Sequence, residues 1–369
     1  MNSDLREKPR TLGSIQVLRG VAAIAVVIHH TCAVFREFKL PSFLAYWRQF
    51  EDLGACGVDI FFVISGFIMI YISRKKFGSE KAAGEFMKHR IRRVVPLYWV
   101  YTTAMVLIAV GMHWLKGRVF PTALIVRSYF FIPTIDRSTH QLELILAQGW
   151  TLQYEMLFYV LFAVWLAAGS IRTVRFYLTI SISAIFLLST FLHGFFPNNP
   201  LVLFAANPVM FEFVFGVFIG CALTGGKFPG HRPGKVLIAL AIAGFATTLF
   251  TPIPLRYRIF FWGVPAALLV IGALANDRGG KRTFPQVLGD WSYSIYLSHL
   301  FVVQAAISIV RRHSPHSAFG GDLIVAVIVV LSVVGGGVSY VLIEKPITDS
   351  LRSRKRNTAM AVVQQGRLP

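Results

Sequence analysis

Long runs of apolar residues recur along the whole chain and are separated by short polar connectors. A transmembrane helix needs about 20 mostly apolar residues, and these runs are long enough once some tilt is allowed. The pattern therefore predicts an all-α, polytopic membrane bundle of about ten transmembrane helices. The predicted spans are 14–34, 54–73, 94–112, 149–169, 176–193, 201–223, 236–251, 258–275, 286–310 and 322–343.

The composition supports this class. Of 369 residues, 55% are hydrophobic and the mean hydropathy is +0.61, whereas 15% are charged. Soluble domains carry roughly 25% charged residues. Cys32, Cys56 and Cys221 have neither disulfide nor metal-site spacing, so we interpret them as small apolar side chains. Residues 1–349 are predicted to form the transmembrane domain, and 350–369 a basic cytoplasmic tail without fixed structure.

The net charge of +20 is explained by the position of the basic residues. They lie between the apolar runs, as the positive-inside rule describes, and not on a soluble domain that would bind nucleic acid. With the N-terminus inside, 25 of the 37 Lys and Arg residues fall in inner segments and 11 in outer ones, and Arg19 is the remaining one. We therefore predict an even number of spans, both termini in the cytoplasm, contacts with membrane lipids and no nucleic-acid partner.

Ionisable side chains at membrane depth usually face a cavity and serve a function. Arg19 and His30 lie eleven residues apart in the first span. At about 100° per residue they return to within roughly 20° of one helix face, about 16 Å apart along the axis, while His29 points about 80° away. Helical phase therefore selects His30 as the residue that shares a cavity with Arg19. In the alternative, the histidines mark the outer helix end and Arg19 extends to the inner surface.

Five further polar residues have more than one interpretation. Asp59 could orient a histidine or an arginine, or form a structural cap or ion pair. Arg90 and Arg93 share a helix face at the inner surface, where they could bind phosphates or anionic lipids. Glu155, one turn into its span, is expected to face a cavity or an arginine. His299 could line a pocket or satisfy polar groups between helices.

Six short motifs follow one another between Leu18 and Pro346. They are Arg-x10-His; Gly-Val-Asp-x-Phe-Phe-Val-x-Ser-Gly-Phe; Arg-x-x-Arg with a following Pro-x-Tyr-Trp; Trp-Thr-Leu-x-x-Glu; Ser-Tyr-Ser-x-Tyr-Leu-x-His; and Ile-Glu-Lys-Pro. In this order they resemble the acyltransferase family 3 membrane O-acyltransferases, most closely the branch that acetylates exopolysaccharides and related surface sugars. One departure is Glu155-Met156, where many relatives carry an acidic pair.

The resemblance implies a bacterial inner-membrane enzyme that moves an acyl group, usually acetyl, from cytoplasmic acyl-CoA to a hydroxyl. The acceptor would be an exopolysaccharide or another cell-surface carbohydrate, free or lipid-linked. Acetyl-CoA is then the donor substrate, and neither a permanently bound cofactor nor a metal is expected.

The resemblance also suggests residue roles. The essential arginine and histidine of the family fall on Arg19 and His30, and its Arg-x-x-Arg motif falls on Arg90 and Arg93. We predict His30 as general base, with Arg19 stabilising negative charge or fixing the cofactor, and Arg90 and Arg93 as the CoA-binding residues. The supporting residues would be Asp59, Glu155 and His299. A transporter or flippase for a glycan or an anionic solute is the alternative, since its membrane charges would line a path.

Overall fold

The computed structural model describes residues 12–116, 120–136, 142–254, 257–277, 279–312 and 315–351. Within these ranges the secondary structure is helical, apart from turns and one isolated bridge between Ile135 and Leu142. Eight helices in these ranges are long and apolar enough to cross a membrane. The predicted all-α, multi-pass membrane fold is confirmed. The predicted tail lies outside the described residues from residue 352 onward.

All ten predicted spans fall on helices. Spans 236–251 and 258–275 correspond to the shorter helices α11 and α12. A 3₁₀ turn (Ala147–Gly149) precedes α7, and π-helical turns precede α12 (Ile259–Gly263) and follow α14 (Tyr340–Glu344). The helices are α1 (Gly13–Glu37), α2 (Phe43–Tyr46), α3 (Arg48–Gly54), α4 (Cys56–Ser73), α5 (Glu80–Lys116), α6 (Thr122–Tyr129), α7 (Trp150–Ala168), α8 (Ile171–His193), α9 (Pro200–Ala205), α10 (Met210–Thr224), α11 (His231–Thr247), α12 (Val264–Ala275), α13 (Phe284–Val310) and α14 (Ala318–Ser339).

Two helices differ from their predicted limits. The third span begins at Glu80, because the basic inner segment and the span form one helix of 37 residues. The predicted span 201–223 is interrupted between α9 and α10 at Asn207 and Pro208. Pro208 has no backbone N–H to donate, and the Asn207 side chain accepts a hydrogen bond from Val209 N at 3.1 Å. Both features favour the end of α9 and the start of α10 at this point.

Glycines allow two helix pairs in the bundle to approach closely. A Cβ atom at Gly66 of α4 would overlap the carbonyl oxygen of Phe213 in α10, and one at Gly289 of α13 would overlap that of Gln16 in α1. The helices α1 and α13 run parallel, since Gln16 lies beside Gly289 and His30 of α1 lies beside α13 farther along. This parallel pair carries the first and the fifth of the six motifs.

Candidate active site

A cavity inside the bundle, the buried cavity, is lined by α1, α4, α5, α7 and α13. Its charged residues are Arg19 of α1, Arg90 and Arg93 of α5, and Glu155 of α7. Most of its wall is apolar or aromatic, including Val58, Phe61, Phe62, Ile68, Met69 and Leu152. The structure therefore brings together four of the seven predicted site residues, from three helices.

A second cavity, the entrance cavity, meets the buried cavity at the same three arginines. It measures about 470 Å³, whereas the buried cavity measures about 80 Å³. It lies at the end of the bundle where α1 and α13 begin. Its other charged or titratable residues are His89, Arg92, Asp290, Tyr340, Glu344, Lys345 and Asp349. The two cavities together form a wide, polar opening that narrows towards the middle of the bundle.

The three shared arginines have no acidic partner in direct contact. In the described part of the chain, none of them forms a salt bridge. Arg19 Nη1 donates to Gln16 Oε1 at 3.1 Å. Arg90 Nε is buried without a hydrogen-bond partner, and its guanidinium lies 5.9 Å from the ring centres of Phe86 and Tyr159. Arg19 and Arg90 are partly removed from water, which is costly for an unpaired cation, and Arg93 is exposed beside them. This arrangement favours an anionic ligand.

Glu155 is the acidic residue among those that line the buried cavity. Ser65 Oγ donates to Glu155 Oε1 at 3.0 Å, and the hydroxyl of Tyr159 donates to the same oxygen. The carboxylate is therefore oriented by two donors, one from α4 and one from its own helix. Since one carboxylate faces three arginines, the cavity keeps a positive formal charge.

His30 lies farther along α1 and is not among the residues that line these two cavities. Its ring centre is 5.2 Å from that of His299 in α13. His29 instead faces α3, where its Nδ1 lies 2.9 Å from the carbonyl oxygen of Glu51. Tyr296 lines the buried cavity and its ring centre lies 6.1 Å from that of His299. The Tyr296 ring thus connects the buried cavity to the pair of histidines.

Asp59 is fully buried but belongs to a different cluster. Its oxygens accept hydrogen bonds from Arg258 Nε at 2.9 Å and Arg258 Nη2 at 2.7 Å. Arg258 also donates to the carbonyl oxygen of Ala55 at 3.3 Å and covers the ring of Trp262 at 4.8 Å. Of the partners considered for Asp59, the structure shows an arginine. Glu212 is fully buried in the same region.

Sequence reasoning missed several residues of the site. Tyr159 lies four residues after Glu155 on the same helix face, so helical periodicity could have identified it. Glu344 lines the entrance cavity and accepts a hydrogen bond from Ser294 Oγ at 2.6 Å. It belongs to the Ile-Glu-Lys-Pro motif, which marked its importance but not its partner. Arg258 carried no signal beyond its place at the start of a span.

The fold and the two cavities define a multi-pass membrane protein with an interior suited to an anionic ligand. Comparisons with known proteins supply its chemistry. Residues 12–342 match the acyltransferase domain of acyltransferase family 3. The chain therefore belongs to this family and is a membrane O-acyltransferase, as the six motifs predicted. No solved structure matches the chain.

Three relatives illustrate the family. The exopolysaccharide production protein ExoZ of Rhizobium meliloti is 34% identical, over 84% of this chain and 94% of the relative. The acyltransferase MdmB of Streptomyces mycarofaciens is 28% identical, over 95% of both chains. The peptidoglycan O-acetyltransferase OatA of Listeria monocytogenes is 23% identical, over 86% of this chain and 53% of the relative.

Proposed function

We propose that the protein transfers an acetyl group from cytoplasmic acetyl-CoA to a hydroxyl of an exopolysaccharide or another cell-surface carbohydrate. The observation that carries this proposal is a group of three arginines that lines both the entrance cavity and the buried cavity and forms no salt bridge among the described residues. CoA has a bulky, phosphate-rich head and a thin pantetheine arm. A wide basic opening that narrows inside the bundle suits both parts. The names of two relatives, which refer to exopolysaccharide and to peptidoglycan O-acetylation, support a carbohydrate acceptor.

In this proposal the phosphates of CoA bind Arg90 and Arg93, whose planar guanidinium groups suit bidentate contacts with phosphate oxygens. The pantetheine arm then extends past Arg19 into the buried cavity. The entrance cavity must face the cytoplasm, since acyl-CoA is found there. The distribution of basic connectors supports this orientation, with both termini on the cytoplasmic side of the inner membrane.

His30 would accept the proton of the acceptor hydroxyl while the hydroxyl oxygen attacks the thioester carbonyl. The C–S bond then breaks and CoA leaves as a thiolate. The proton held by His30 passes to this thiolate. Arg19 would stabilise the negative charge that develops, or hold the cofactor. A covalent acyl-histidine is the second route to the same product. Because His30 lines neither cavity, either route needs an opening from the buried cavity to His30, and movement of the Tyr296 side chain, which lies next to His299, would provide it.

The test is the consumption of acetyl-CoA by the purified protein with a polysaccharide acceptor, with NMR detection of O-acetyl groups. We expect His30→Ala to lower kcat by about 10²–10⁴-fold, the usual range for losing a general base. We expect Arg90→Ala with Arg93→Ala to raise KM for acetyl-CoA by about ten- to hundredfold, because charge-assisted hydrogen bonds are lost. The matched control is Arg127→Ala, an exposed arginine of α6 outside both cavities.

Each outcome bears on a separate part of the proposal. Full O-acetylation by His30→Ala would refute the general base. An unchanged KM in the double arginine variant would refute the docking of CoA. Movement of a glycan or an anion across vesicles without any consumption of acetyl-CoA would favour a transporter instead.

A further inference from the structure

His299 is fully buried and uses only one of its ring nitrogens. Its Nδ1 lies 2.7 Å from the carbonyl oxygen of Tyr296 and 3.2 Å from that of Ile295. Because a carbonyl oxygen can only accept, Nδ1 must carry the hydrogen. In the neutral ring Nε2 is then a hydrogen-bond acceptor, and it is buried without a partner. A buried acceptor left unpaired is costly, so a partner is expected for it.

His30 is within reach of this nitrogen. The two ring centres are 5.2 Å apart and the ring planes are inclined by 30°. Because ring nitrogens lie roughly 1 Å from the ring centre, facing nitrogens at this separation are about 3 Å apart, the length of a hydrogen bond. The structure does not show this bond, so the inference requires the His30 ring to turn an N–H group towards His299 Nε2. The ring of His29 is also close, at 4.9 Å, but its Nε2 is not among the buried atoms that lack a hydrogen-bond partner, whereas that of His299 is.

We propose that His299 is a positioning residue, which accepts a hydrogen bond from the N–H group of His30 through Nε2. The inference rests on the proposed function, in which His30 is the general base. The bond determines which nitrogen of His30 carries the hydrogen, so the other nitrogen presents its lone pair to the acceptor hydroxyl. Once His30 has taken up the proton, both of its nitrogens carry hydrogen, and the Nε2 of His299 stabilises the imidazolium. A neutral histidine thus takes the place that a carboxylate has in a catalytic triad.

Three substitutions distinguish the effect of losing the hydrogen-bond acceptor from the effect of losing the volume of the ring. His299→Gln places an amide oxygen near the position of Nε2, His299→Asn is one carbon shorter, and His299→Leu has no acceptor. We expect kcat to fall by about ten- to hundredfold in the Asn and Leu variants, the range for losing a hydrogen bond to a charged group. The Gln variant should keep kcat within a few-fold of wild type. KM for acetyl-CoA should stay unchanged in all three, because His299 is not among the residues that line the two cavities.

The matched control is His29→Leu, which removes a neighbouring imidazole and should leave kcat unchanged. Melting temperature and monodispersity in detergent report folding for every variant. A folded His299→Leu protein with the kcat of wild type would overturn the inference. So would equal losses in the Gln and Leu variants, since these would indicate a packing role.

The experiment also separates this inference from the proposed function. A slow His30→Ala protein with a fully active His299→Leu protein would overturn the role of His299 alone, whereas a fully active His30→Ala protein would overturn both. If the His299 variants fail to fold, ¹⁵N NMR of the histidines in the wild-type protein decides. We expect His299 Nε2 to show the shift of an acceptor nitrogen, and a hydrogen on this atom would contradict the proposal.

Discussion

Two clusters of charged side chains lie inside the bundle, and they are compensated in opposite ways. Asp59 and Arg258 form a two-pronged ion pair, and a backbone carbonyl accepts a further hydrogen bond from the arginine. Arg19, Arg90 and Arg93 have no salt bridge within the described residues, and they line two connected cavities. The first cluster supplies its own counter-charge, whereas the second leaves room for a negative ligand. An ionisable residue in a span therefore forms an internal ion pair in one place, and in the other it belongs to the ligand-binding site of the proposed function.

The largest effect should come from removing one half of the internal pair. Asp59→Ala removes the carboxylate that pairs with Arg258 and leaves Glu212, which forms no hydrogen bond among the described residues, as the remaining acidic group of the cluster. Loss of the ion pair is expected to lower the free energy of unfolding by about 3–5 kcal/mol. Denaturant unfolding in detergent measures the loss. As control, Asp59→Leu combined with Arg258→Met removes both charges and should cost much less. If Asp59→Ala were as stable as wild type but inactive, the pair would belong to the catalytic machinery and the comparison would fail.

Arg19 should show the opposite behaviour. Arg19→Gln removes a cation from the junction of the cavities, and we expect kcat/KM for acetyl-CoA to fall about hundredfold, as on loss of an electrostatic stabiliser. The melting temperature should not fall, because no carboxylate loses its partner. Arg19→Lys keeps the charge but loses the planar fork, so it should recover only part of the activity. A large drop in stability for Arg19→Gln would show that both clusters are structural.

A smaller effect is expected at Glu155, which accepts internal hydrogen bonds and also lines the cavity that contains the three arginines. Tyr159→Phe removes one of the two donors to its carboxylate and leaves Ser65 in place. We expect the free energy of unfolding to fall by about 1 kcal/mol, the net value of one hydrogen bond. The control is Tyr177→Phe in α8, a half-exposed ring stacked on Trp165. No difference between the two variants would mean that the Tyr159 hydroxyl does not hold Glu155.

The smallest effect should be that of salt. Added salt shortens the screening length from about 10 Å at 0.1 M to about 3 Å at 1 M, and exposed charges respond more than buried ones. KM for acetyl-CoA should therefore rise a few-fold with salt, because the entrance cavity is open to water. The unfolding midpoint, which depends on the buried pair of Asp59 and Arg258, should change little. Equal salt sensitivity of both would remove the contrast between the clusters.

The membrane fold could be predicted from the sequence because the hydropathy of each span depends only on the residues of that span. The helix ends that differ from the predicted ones also have local causes. Asn207 and Pro208 interrupt a span whose average hydropathy hides the break, and α5 begins fourteen residues before its apolar part. Relations along one helix could be predicted only in part. Helical phase separated His30 from His29, and the two face different neighbours. The cavity that His30 was predicted to share with Arg19 is not seen, because Arg19 lines both cavities and His30 lines neither.

Contacts between helices could not be predicted in this way. Asp59 and Arg258 are 199 residues apart, and no periodicity links them. The meeting of Arg19 with Arg90 and Arg93 was not predicted from the sequence. His30 and Arg19 share a helix, but the position of Tyr296 between the cavity and the histidines depends on how α13 packs. These contacts depend on which helices pack against each other, and a single sequence does not show which pairs do so.

The parallel contact between α1 and α13 also has a consequence for biosynthesis. Gln16 Nε2 donates to Asp290 Oδ1 at 2.8 Å across 274 positions of the chain. At about 5–20 residues per second, a ribosome needs on the order of tens of seconds to make that stretch. During that time α1 is in the bilayer without α13, the helix that packs against its polar residue Gln16. The pair of α1 and α13, and with it the contact between His30 and His299, can therefore form only after α13 has been made.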